Sequence, residues 1–377
     1  MCGHWSVYQG RDVTFILLIQ DLTSGGAEKQ LLLIARGLTE LGHKCLVITL
    51  AGGAVNRRME GLLERAKKQG ILILRPTSSR LQLVQQSMRL IARLAEVRNA
   101  VVWSWGLRAT LLAKVLVIPF PDARLVCSIR EASAERMARY RRLERFRCAR
   151  VRLYVNNSQL SVDLLSSAIG DAAKRSTVLW NSLDDDESGM KPVEQREEIS
   201  HVSIAMLGNV KPMKGYDVAI QVAEELRAKQ IAATIHIAGR DDMHGWLQRN
   251  IEARQLTRHI CYEGETSSPS TFLRGKNAFL LLSCYEGMPN ALIEAMNLGL
   301  PCIATRVGEV GRLEQMGAGL VVLGSPLLPS VISAIEDLLH NWASALARGR
   351  AARAFCQKFL TREALCHKLN GICAELA

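Results

Sequence analysis

The sequence predicts an α/β fold made of two doubly wound parallel-sheet domains. Three observations predict it: a length of 377 residues, short β-rich runs that alternate with helical patterns, and one acidic segment that interrupts the alternation. A chain of this length is long enough for two or three domains, each with its own core. Because strand–helix alternation covers both faces of a parallel sheet with helices, we expect two such domains facing across a ligand crevice.

The first half opens with a βαβ unit. Apolar runs at 13–19 and 44–50 enclose a helical pattern from Ala27 to Leu41. Further strands are predicted at 71–76, 100–105, 124–129, 152–157 and 177–181, and further helices near 81–97, 107–116 and 158–168. This pattern predicts a first domain over residues 1–182.

The segment 183–200 reads LDDDESGMKPVEQREEIS and has no apolar period, so it is predicted to be a linker. The alternation then restarts, which predicts a second domain over 201–360. Its expected strands lie at 202–208, 234–239, 259–264, 278–283, 301–305 and 319–323, with helices near 216–229 and 290–298 and a helical ending over about 329–376. Residues 361–377 are expected to form a C-terminal helix that packs back on the first domain.

The composition is that of an ordinary globular protein, without the patterns of a membrane-spanning or disulfide-rich one. Hydrophobic residues make up 48% and charged residues 22% of the chain, which is ordinary globular usage. We find no apolar stretch near the length of about 18 residues that crosses a bilayer, and no signal-peptide pattern in MCGHWSVYQGRDV, so we expect a cytoplasmic protein. The ten cysteines form no C-x-x-C pair, which indicates neither a zinc site nor a disulfide framework.

Charge is unevenly distributed along the chain. The net charge is +12, of which residues 1–180 carry +15 (28 Lys and Arg against 13 Asp and Glu) and the remainder −3. The segment 135–152, ERMARYRRLERFRCARVR, has apolar residues at helical spacing and predicts a basic amphipathic helix. Its candidate membrane-binding side chains are Arg136, Arg139, Arg141, Arg142, Arg145 and Arg147.

A basic helix face attracts anionic lipid, attracts nucleic acid or is only solvated. Few aromatic residues interleave with these arginines and no nucleic-acid motif accompanies them. We therefore expect an anionic membrane surface as the partner, with the protein peripheral on the inner face of the cytoplasmic membrane, and no nucleic acid.

The most informative stretch, CYEGMPNALIEAMNLGLPCIAT (284–305), follows a predicted strand. Gly287 suits a tight turn, Pro289 suits the first turn of a helix, and the helix from Asn290 ends at Gly299. The amides of Met288 and Asn290 would then face a ligand at a helix N-terminus, which favours an anion such as phosphate. A capped crossover helix with two solvated glutamates, Glu286 and Glu294, is the alternative.

Two glycine-containing loops also follow predicted strands. LGNVKPMKGYD (207–217) carries Lys211 and Lys214, and a lysine at this edge can neutralise a diphosphate, although it can also be an ordinary surface residue. QDLTSGGAEKQ (20–30) carries Gly25 and Gly26, which allow close approach to a ligand or form a plain turn. Neither loop is a Walker loop or a G-x-G-x-x-G turn, which argues against NAD and FAD.

Together these elements resemble the retaining glycosyltransferases of family 4, which have the GT-B fold of two Rossmann-like domains. The resemblance covers nearly the whole chain. It rests on GGAEKQLLLIARGLTELGHKCLVIT (25–49), VLWNSLDDD (178–186), LGNVKPMKGYDVAI (207–220) and EGMPNALIEAMNLGLPCIATRVGEV (286–310), the last of which matches the family's E-x7-E segment.

The resemblance implies roles for individual residues in binding a nucleotide-sugar. Lys214 would hold the diphosphate, and Glu286 would contact the donor-sugar hydroxyls. Glu294 would bind the ribose. The further donor-binding residues would be Asn209, Gly287, Met288 and Asn290, and the loop at Gly25 and Gly26 would border the diphosphate and the acceptor. A nucleophilic role for Glu286 is chemically available, but we favour sugar positioning.

The chain departs from the family pattern at three places. Asn209 stands where the family usually has arginine, and Lys211 or Arg240 is a candidate replacement for that charge. Arg130 stands near the usual histidine, and we place it with Glu286 and Lys214 among the catalytic residues, as a contact to acceptor or phosphate. Glu309 does not fit the family's G-G-x-x-E pattern and receives no role.

The function that this resemblance implies is retaining transfer of a sugar from a nucleotide-sugar to a lipid-linked or saccharide acceptor in cell-surface polysaccharide or glycolipid synthesis. No metal or other cofactor is expected. A nucleotide-sugar 2-epimerase of the same fold is one alternative, and a degenerate GT-B scaffold that binds membranes or polyanions is the other.

Overall fold

The computed structural model describes residues 13–376 except Ser24, 77–81, Arg98, 131–132 and 146–149. The chain forms two compact units. The first ends at Ser182 and resumes at Arg362, and the second is Leu183–Thr361.

The first unit contains a seven-stranded parallel sheet in the order β3-β2-β1-β4-β5-β6-β7. Its strands are β1 (Thr14–Ile19), β2 (Lys44–Thr49), β3 (Leu72–Leu74), β4 (Ala100–Trp105), β5 (Arg124–Ile129), β6 (Val151–Asn156) and β7 (Ser176–Val178). Numbered in chain order, its helices are α1 (Gly26–Glu40), α2 (Arg57–Lys68), α3 (Gln82–Glu96), α4 (Leu107–Leu116), α5 (Ala134–Arg145), α6 (Gln159–Ala168) and α15 (Arg362–Leu376).

Alternate residues of these strands enter two different cores. Phe15, Leu17 and Trp103 pack with α1, α2 and α15 on one face. Ile16 and Leu18 pack with α3, α4, α5 and α6 on the other. Because side chains alternate along a strand, a strand that is apolar throughout is stable only when both faces are covered.

Helix α15 completes the first of these cores. Leu365, Leu369 and Ile372 are buried there, and α15 packs against α1. At Gly37 of α1 a Cβ atom would lie 2.8 Å from Leu369 Cδ1, so the glycine permits the close approach of the two helices. An ion pair between Arg362 and Glu40 joins their ends.

The second unit contains a six-stranded parallel sheet in the order β10-β9-β8-β11-β12-β13. Its strands are β8 (Val202–Leu207), β9 (Ala233–Ala238), β10 (Ile260–Tyr262), β11 (Ala278–Leu281), β12 (Cys302–Thr305) and β13 (Val321–Leu323). Its helices are α7 (Asp185–Ser188), α8 (Tyr216–Ala228), α9 (Trp246–Ala253), α10 (Pro269–Arg274), α11 (Asn290–Asn297), α12 (Val310–Gln315), α13 (Leu327–His340) and α14 (Trp342–Phe359). The strand order reverses between β8 and β11, where α/β sheets bind ligands.

The prediction of a linker at 183–200 was wrong, because this segment is part of the second unit. Asp184 and Glu187 form a capping box around α7. The Val193 amide donates to Leu298 O at 2.8 Å, and Arg353 Nη2 donates to Met190 O at 2.7 Å. Each of these contacts includes a backbone group of the segment. Because backbone groups are common to all residues, such contacts leave no hydrophobic pattern in the sequence.

Four shorter helices were also missed. Helices α2, α9, α10 and α12 have 12 residues or fewer and lie in stretches that the sequence analysis left unassigned. The helical ending divides into α13, α14 and α15, with breaks at Asn341 and after Phe359.

Candidate active site

Lys214 lies in the loop that joins β8 to α8, at the end of a short 3₁₀ helix, Pro212–Lys214. The next residue, Gly215, has φ 71°, and a Cβ there would lie 2.1 Å from Leu282 O. Only glycine fits this left-handed turn against the neighbouring strand end. The Cys284 amide donates to Met213 O at 2.8 Å and ties the two loops together.

This packing brings Lys214 and Glu286 into direct contact. Lys214 Nζ lies 2.5 Å from Glu286 Oε1, and Ser283 Oγ donates to the same oxygen at 2.9 Å. The two charged side chains are 26% and 17% exposed, so solvent still reaches the pair. Glu286 Oε2 accepts no bond from the described residues, which leaves it available to a hydroxyl of a ligand.

Tyr216 supports the loop that carries Lys214. Tyr216 is buried, and its hydroxyl donates to Gly208 O at 2.5 Å. Burial raises the pKa of Tyr216, and the charge of Glu286 raises it further, so the hydroxyl stays a neutral donor at physiological pH.

The loop after β11 leads into α11, whose N-cap is Pro289. Proline supplies no side-chain cap, so the first amides of α11 receive no bond from their own cap residue. Met288 and Glu294 are buried, at 3% and 8% exposure. The Glu309 amide donates to Gly287 O at 2.8 Å, which braces this loop from the β12–α12 connection.

The basic residues proposed to replace the missing arginine gather around a carboxylate instead. Arg240 Nε lies 2.7 Å from Asp242 Oδ1, Lys211 Nζ lies 3.4 Å from Asp242 Oδ2, and Asn209 Nδ2 reaches the same oxygen at 3.5 Å. The hydrogen bond from Arg240 lowers the pKa of Asp242. The charges of Lys211 and Arg240 are therefore partly compensated, which weakens the expectation that either replaces the arginine.

The structure thus brings Lys214 and Glu286 together with Ser283, which the sequence analysis did not select. Ser283 is the polar last residue of the run AFLLLS (278–283), and that position at a strand end was its only signal. Asp242 was also missed, because its significance depends on contacts across two loops.

Gly25, Gly26 and Arg130 belong to the first unit. Gly25 is the N-cap of α1 with φ −92°, a conformation open to any residue, and Gly26 begins the helix. Arg130 follows β5. Its Nη1 donates to Asn181 Oδ1 at 3.1 Å, and its guanidinium carbon lies 5.8 Å from the centre of the Trp105 ring.

The arginine-rich helix is α5, which is amphipathic but ends at Arg145, and the last two residues of the predicted range 135–152 belong to β6. Met137, Tyr140 and Leu143 are buried. The arginines whose side chains are exposed are Arg136, Arg139, Arg141 and Arg142. Arg147 and the side chain of Arg145 lie outside the described part of the chain.

One group in the described residues has the side chains of a metal site. Ligand atoms of His236, Cys261 and Glu263 lie within 4.8 Å of one another. Glu263 is already bonded to Lys276 Nζ at 2.8 Å and to His236 Nδ1 at 2.8 Å. The lysine compensates the carboxylate, so this group is explained as an ion-pair network at the edge of the sheet.

The two halves of the chain each match a glycosyltransferase family. Residues 24–187 match the family described as Glycosyltransferase Family 4, and residues 194–355 match Glycosyl transferases group 1. The chain carries the two domains of a GT-B glycosyltransferase. The predicted fold class is confirmed by these GT-B domains and by the two parallel sheets.

Individual relatives of these GT-B domains are distant. The chain is 26% identical over 160 residues to the Vi polysaccharide biosynthesis protein VipC/TviE of Salmonella typhi, covering 42% of this chain and 27% of that protein. It is 29% identical over 170 residues to a poly(ribitol-phosphate) alpha-N-acetylglucosaminyltransferase of Staphylococcus aureus, covering 44% of this chain and 34% of that protein. The chain therefore matches about a quarter of the first relative's length and a third of the second's.

The likeness in structure is broader. The crystal structure of Anabaena Alr3699/HepE in complex with UDP and glucose has a TM-score of 0.77 at 17% identity, over 96% of this chain and 99% of that one. At this identity the likeness shows the fold alone. Among the described residues of the GT-B chain, the helices are all too short or too polar to span a bilayer.

Proposed function

We propose that this chain is a retaining glycosyltransferase of family 4 that moves a sugar from a nucleotide-sugar to a lipid-linked or saccharide acceptor during cell-surface polysaccharide synthesis. The observation that carries the proposal is the contact of Lys214 with Glu286 where the strand order of the second sheet reverses. The names of the relatives, a Vi polysaccharide protein and a poly(ribitol-phosphate) transferase, support the class of pathway.

The residue chemistry suits departure of a nucleoside diphosphate. As the bond from the anomeric carbon to the diphosphate oxygen breaks, negative charge grows on that oxygen. Lys214 and the amides at the start of α11 would stabilise this charge more strongly than the charge of the bound substrate. The acceptor oxygen would bond to the same face of the anomeric carbon and pass its proton to the leaving diphosphate.

Glu286 is proposed to position the donor sugar. Lys214 and Ser283 both bond to its Oε1, which fixes the carboxylate and leaves Oε2 to accept from a sugar hydroxyl. Gly287, Met288 and Asn290 would lie along the phosphates and the sugar, and Glu294 would bind the ribose. Asn209 is a weaker candidate for the diphosphate, since its amide reaches toward Asp242.

The first unit is proposed to bind the acceptor and to dock on an anionic membrane. The loop at Gly25 and Gly26 would border the acceptor and the diphosphate. Helix α4 packs against α5, and an apolar stripe lies along it and just beyond its end. Leu111 and Val115 of α4 are each 44% exposed, and Ile118, just after the helix, is 56% exposed. A basic face next to an apolar stripe is typical of binding to a membrane interface.

The proposal is tested by a thermal-shift screen against UDP, GDP, ADP and CMP and their sugars. A nucleotide that binds only the native state raises the melting temperature. We expect stabilisation by one nucleotide family, lost in Lys214→Ala and kept in Lys229→Ala, which removes an exposed lysine on the same unit.

A product assay then separates transfer from the alternatives. Turnover that requires an added acceptor supports the transferase. Epimerisation of the nucleotide-sugar without an acceptor would identify the 2-epimerase instead. No stabilisation by any nucleotide would contradict the proposal and favour a binding scaffold.

A further inference from the structure

Among the described residues, the guanidinium group of Arg130 has partners for only part of its donors. Its Nη1 donates to Asn181 Oδ1 at 3.1 Å and toward Leu179 O at 3.4 Å. Its Nε and Nη2 are buried and have no partner among the described residues. The N–H bonds of these two nitrogens point the same way along one edge of the planar group, which makes a fork for two oxygens of one oxyanion.

Three residues at the same sheet edge also have buried side-chain atoms without partners in the described part of the chain. These atoms are Nε1 of Trp105 at the end of β4, Nδ2 and Oδ1 of Asn156 at the end of β6, and Oδ1 of Asn157 just after β6. Ile129 pairs with Asn156 in the sheet, so Arg130 and Asn157 both come directly after one cross-strand pair. Native proteins satisfy nearly all buried polar atoms, so four residues with unpartnered buried atoms at one sheet edge point to a ligand.

We infer that the carboxyl edge of β4, β5 and β6 binds a sugar that carries a carboxylate, a uronic acid, with the Arg130 fork holding the carboxylate and Trp105 and Asn157 contacting hydroxyls. The unpartnered groups of these residues carry one formal charge, which matches the single charge of a carboxylate, and the flat fork matches its planar shape. Burial lowers the pKa of Arg130 to about 10, so it remains charged at neutral pH.

This inference rests on the proposed function, because the ligand is taken to be a sugar substrate. The uronic acid belongs either to the nucleotide-sugar or to the end of the acceptor. In both cases its carboxylate would bind Arg130. Ligand-observed NMR on the full chain distinguishes the two. It compares methyl α-D-glucuronide and methyl α-D-galacturonide with their neutral methyl glycosides, and UDP-glucuronic acid with UDP-glucose.

We expect the carboxylated member of at least one pair to bind roughly tenfold or more tightly than its neutral match. Arg130→Gln should remove that preference. A preference among the methyl glycosides assigns the carboxylate to the acceptor, and a preference confined to the UDP-sugars assigns it to the donor.

Two further variants keep the test decisive. Arg130→Lys keeps the charge but lacks the fork, and we expect it to lose most of the preference even if Arg130→Gln does not fold. Arg93→Gln removes an exposed arginine of α3 and should leave the preference intact.

Equal binding of carboxylated and neutral sugars, or a preference that survives in both Arg130 variants, would overturn the inference. So would Arg130-dependent binding of inorganic phosphate or pyrophosphate without a preference for uronic acids. The rise in melting temperature that nucleotides produce through Lys214 is a separate measurement. If it persists without a uronic-acid preference, only this inference fails. If it is absent while the preference depends on Arg130, only the proposed function fails.

Discussion

Lys214 and Glu286 are 72 residues apart in sequence and in contact in the fold. Each charge depends on the other, because a partly buried carboxylate and ammonium are both costly to leave unpaired. This ion pair therefore stabilises the two loops that carry it and is also the proposed catalytic contact.

We predict that Lys214→Ala and Glu286→Gln each lower kcat at least a hundredfold. A hundredfold corresponds to about 2.7 kcal/mol of lost transition-state stabilisation. Steady-state kinetics with the donor identified by thermal shift measure the effect, and Lys229→Ala is the matched control. Near-normal kcat in either variant would remove the role assigned to that residue.

Asp242 gives a prediction about pH. The hydrogen bond from Arg240 lowers its pKa below the ordinary 3.8. Its ionised form therefore stabilises the fold above about pH 3.8, and this contribution is lost as the pH falls through the lowered folded-state pKa. Arg240→Gln should raise the pKa of Asp242, as measured by carboxyl ¹³C NMR titration.

The control for this titration is Arg254→Gln, whose partner is Glu224. It should leave the Asp242 titration unchanged. An Asp242 pKa that is the same with and without Arg240 would show that the cluster is not held by that ion pair.

At the scale of elements, α15 is the expected C-terminal helix, and it lies in the first unit. It follows the second unit in sequence, yet its apolar face completes the core of the first. We predict that Leu369→Ala, at a fully buried position, destabilises the first unit by about 2–5 kcal/mol.

Hydrogen exchange of β1–β7 in increasing urea reports this loss for the first unit. The exposed neighbour Lys368→Ala should change stability by only about 0.5 kcal/mol or less. Equal protection of β1–β7 in the Leu369 and Lys368 variants would mean that α15 contributes little to that core.

At the scale of the whole molecule, the placement of positive charge underlies the proposed binding to an anionic membrane. We predict that glutamine at Arg136, Arg139, Arg141 and Arg142 together weakens binding to anionic vesicles at least tenfold, since each basic residue near a membrane contributes about 1 kcal/mol. Vesicle sedimentation measures this. Serine at Leu111, Val115 and Ile118 should weaken binding to the same vesicles through lost apolar contact.

A charge-matched control lies in the second unit. Four of its exposed arginines are Arg249, Arg254, Arg258 and Arg350. Their joint replacement by glutamine removes the same charge and should leave sedimentation unchanged. If both quadruple variants behave alike, net charge rather than the α5 face governs attachment, and the proposed membrane patch is wrong.

The sequence by itself determined the alternation of strands and helices, the two parallel sheets and the loops that carry Lys214 and Glu286. These follow from apolar periodicity and from turn residues, and both signals lie within single segments of the sequence. The basic face of α5 was equally visible, because the spacing of Met137, Tyr140 and Leu143 sets which side of that helix is buried.

Only the tertiary structure decided that 183–200 belongs to the second unit and that Ser283 joins the lysine–glutamate pair. It also decided that Lys211 and Arg240 bond to Asp242, and that one edge of Arg130 has no partner in the described part of the chain. Each of these depends on hydrogen bonds or packing between segments far apart in sequence. Such contacts have no period and no local composition, so they exist only once the sheets bring the loops together.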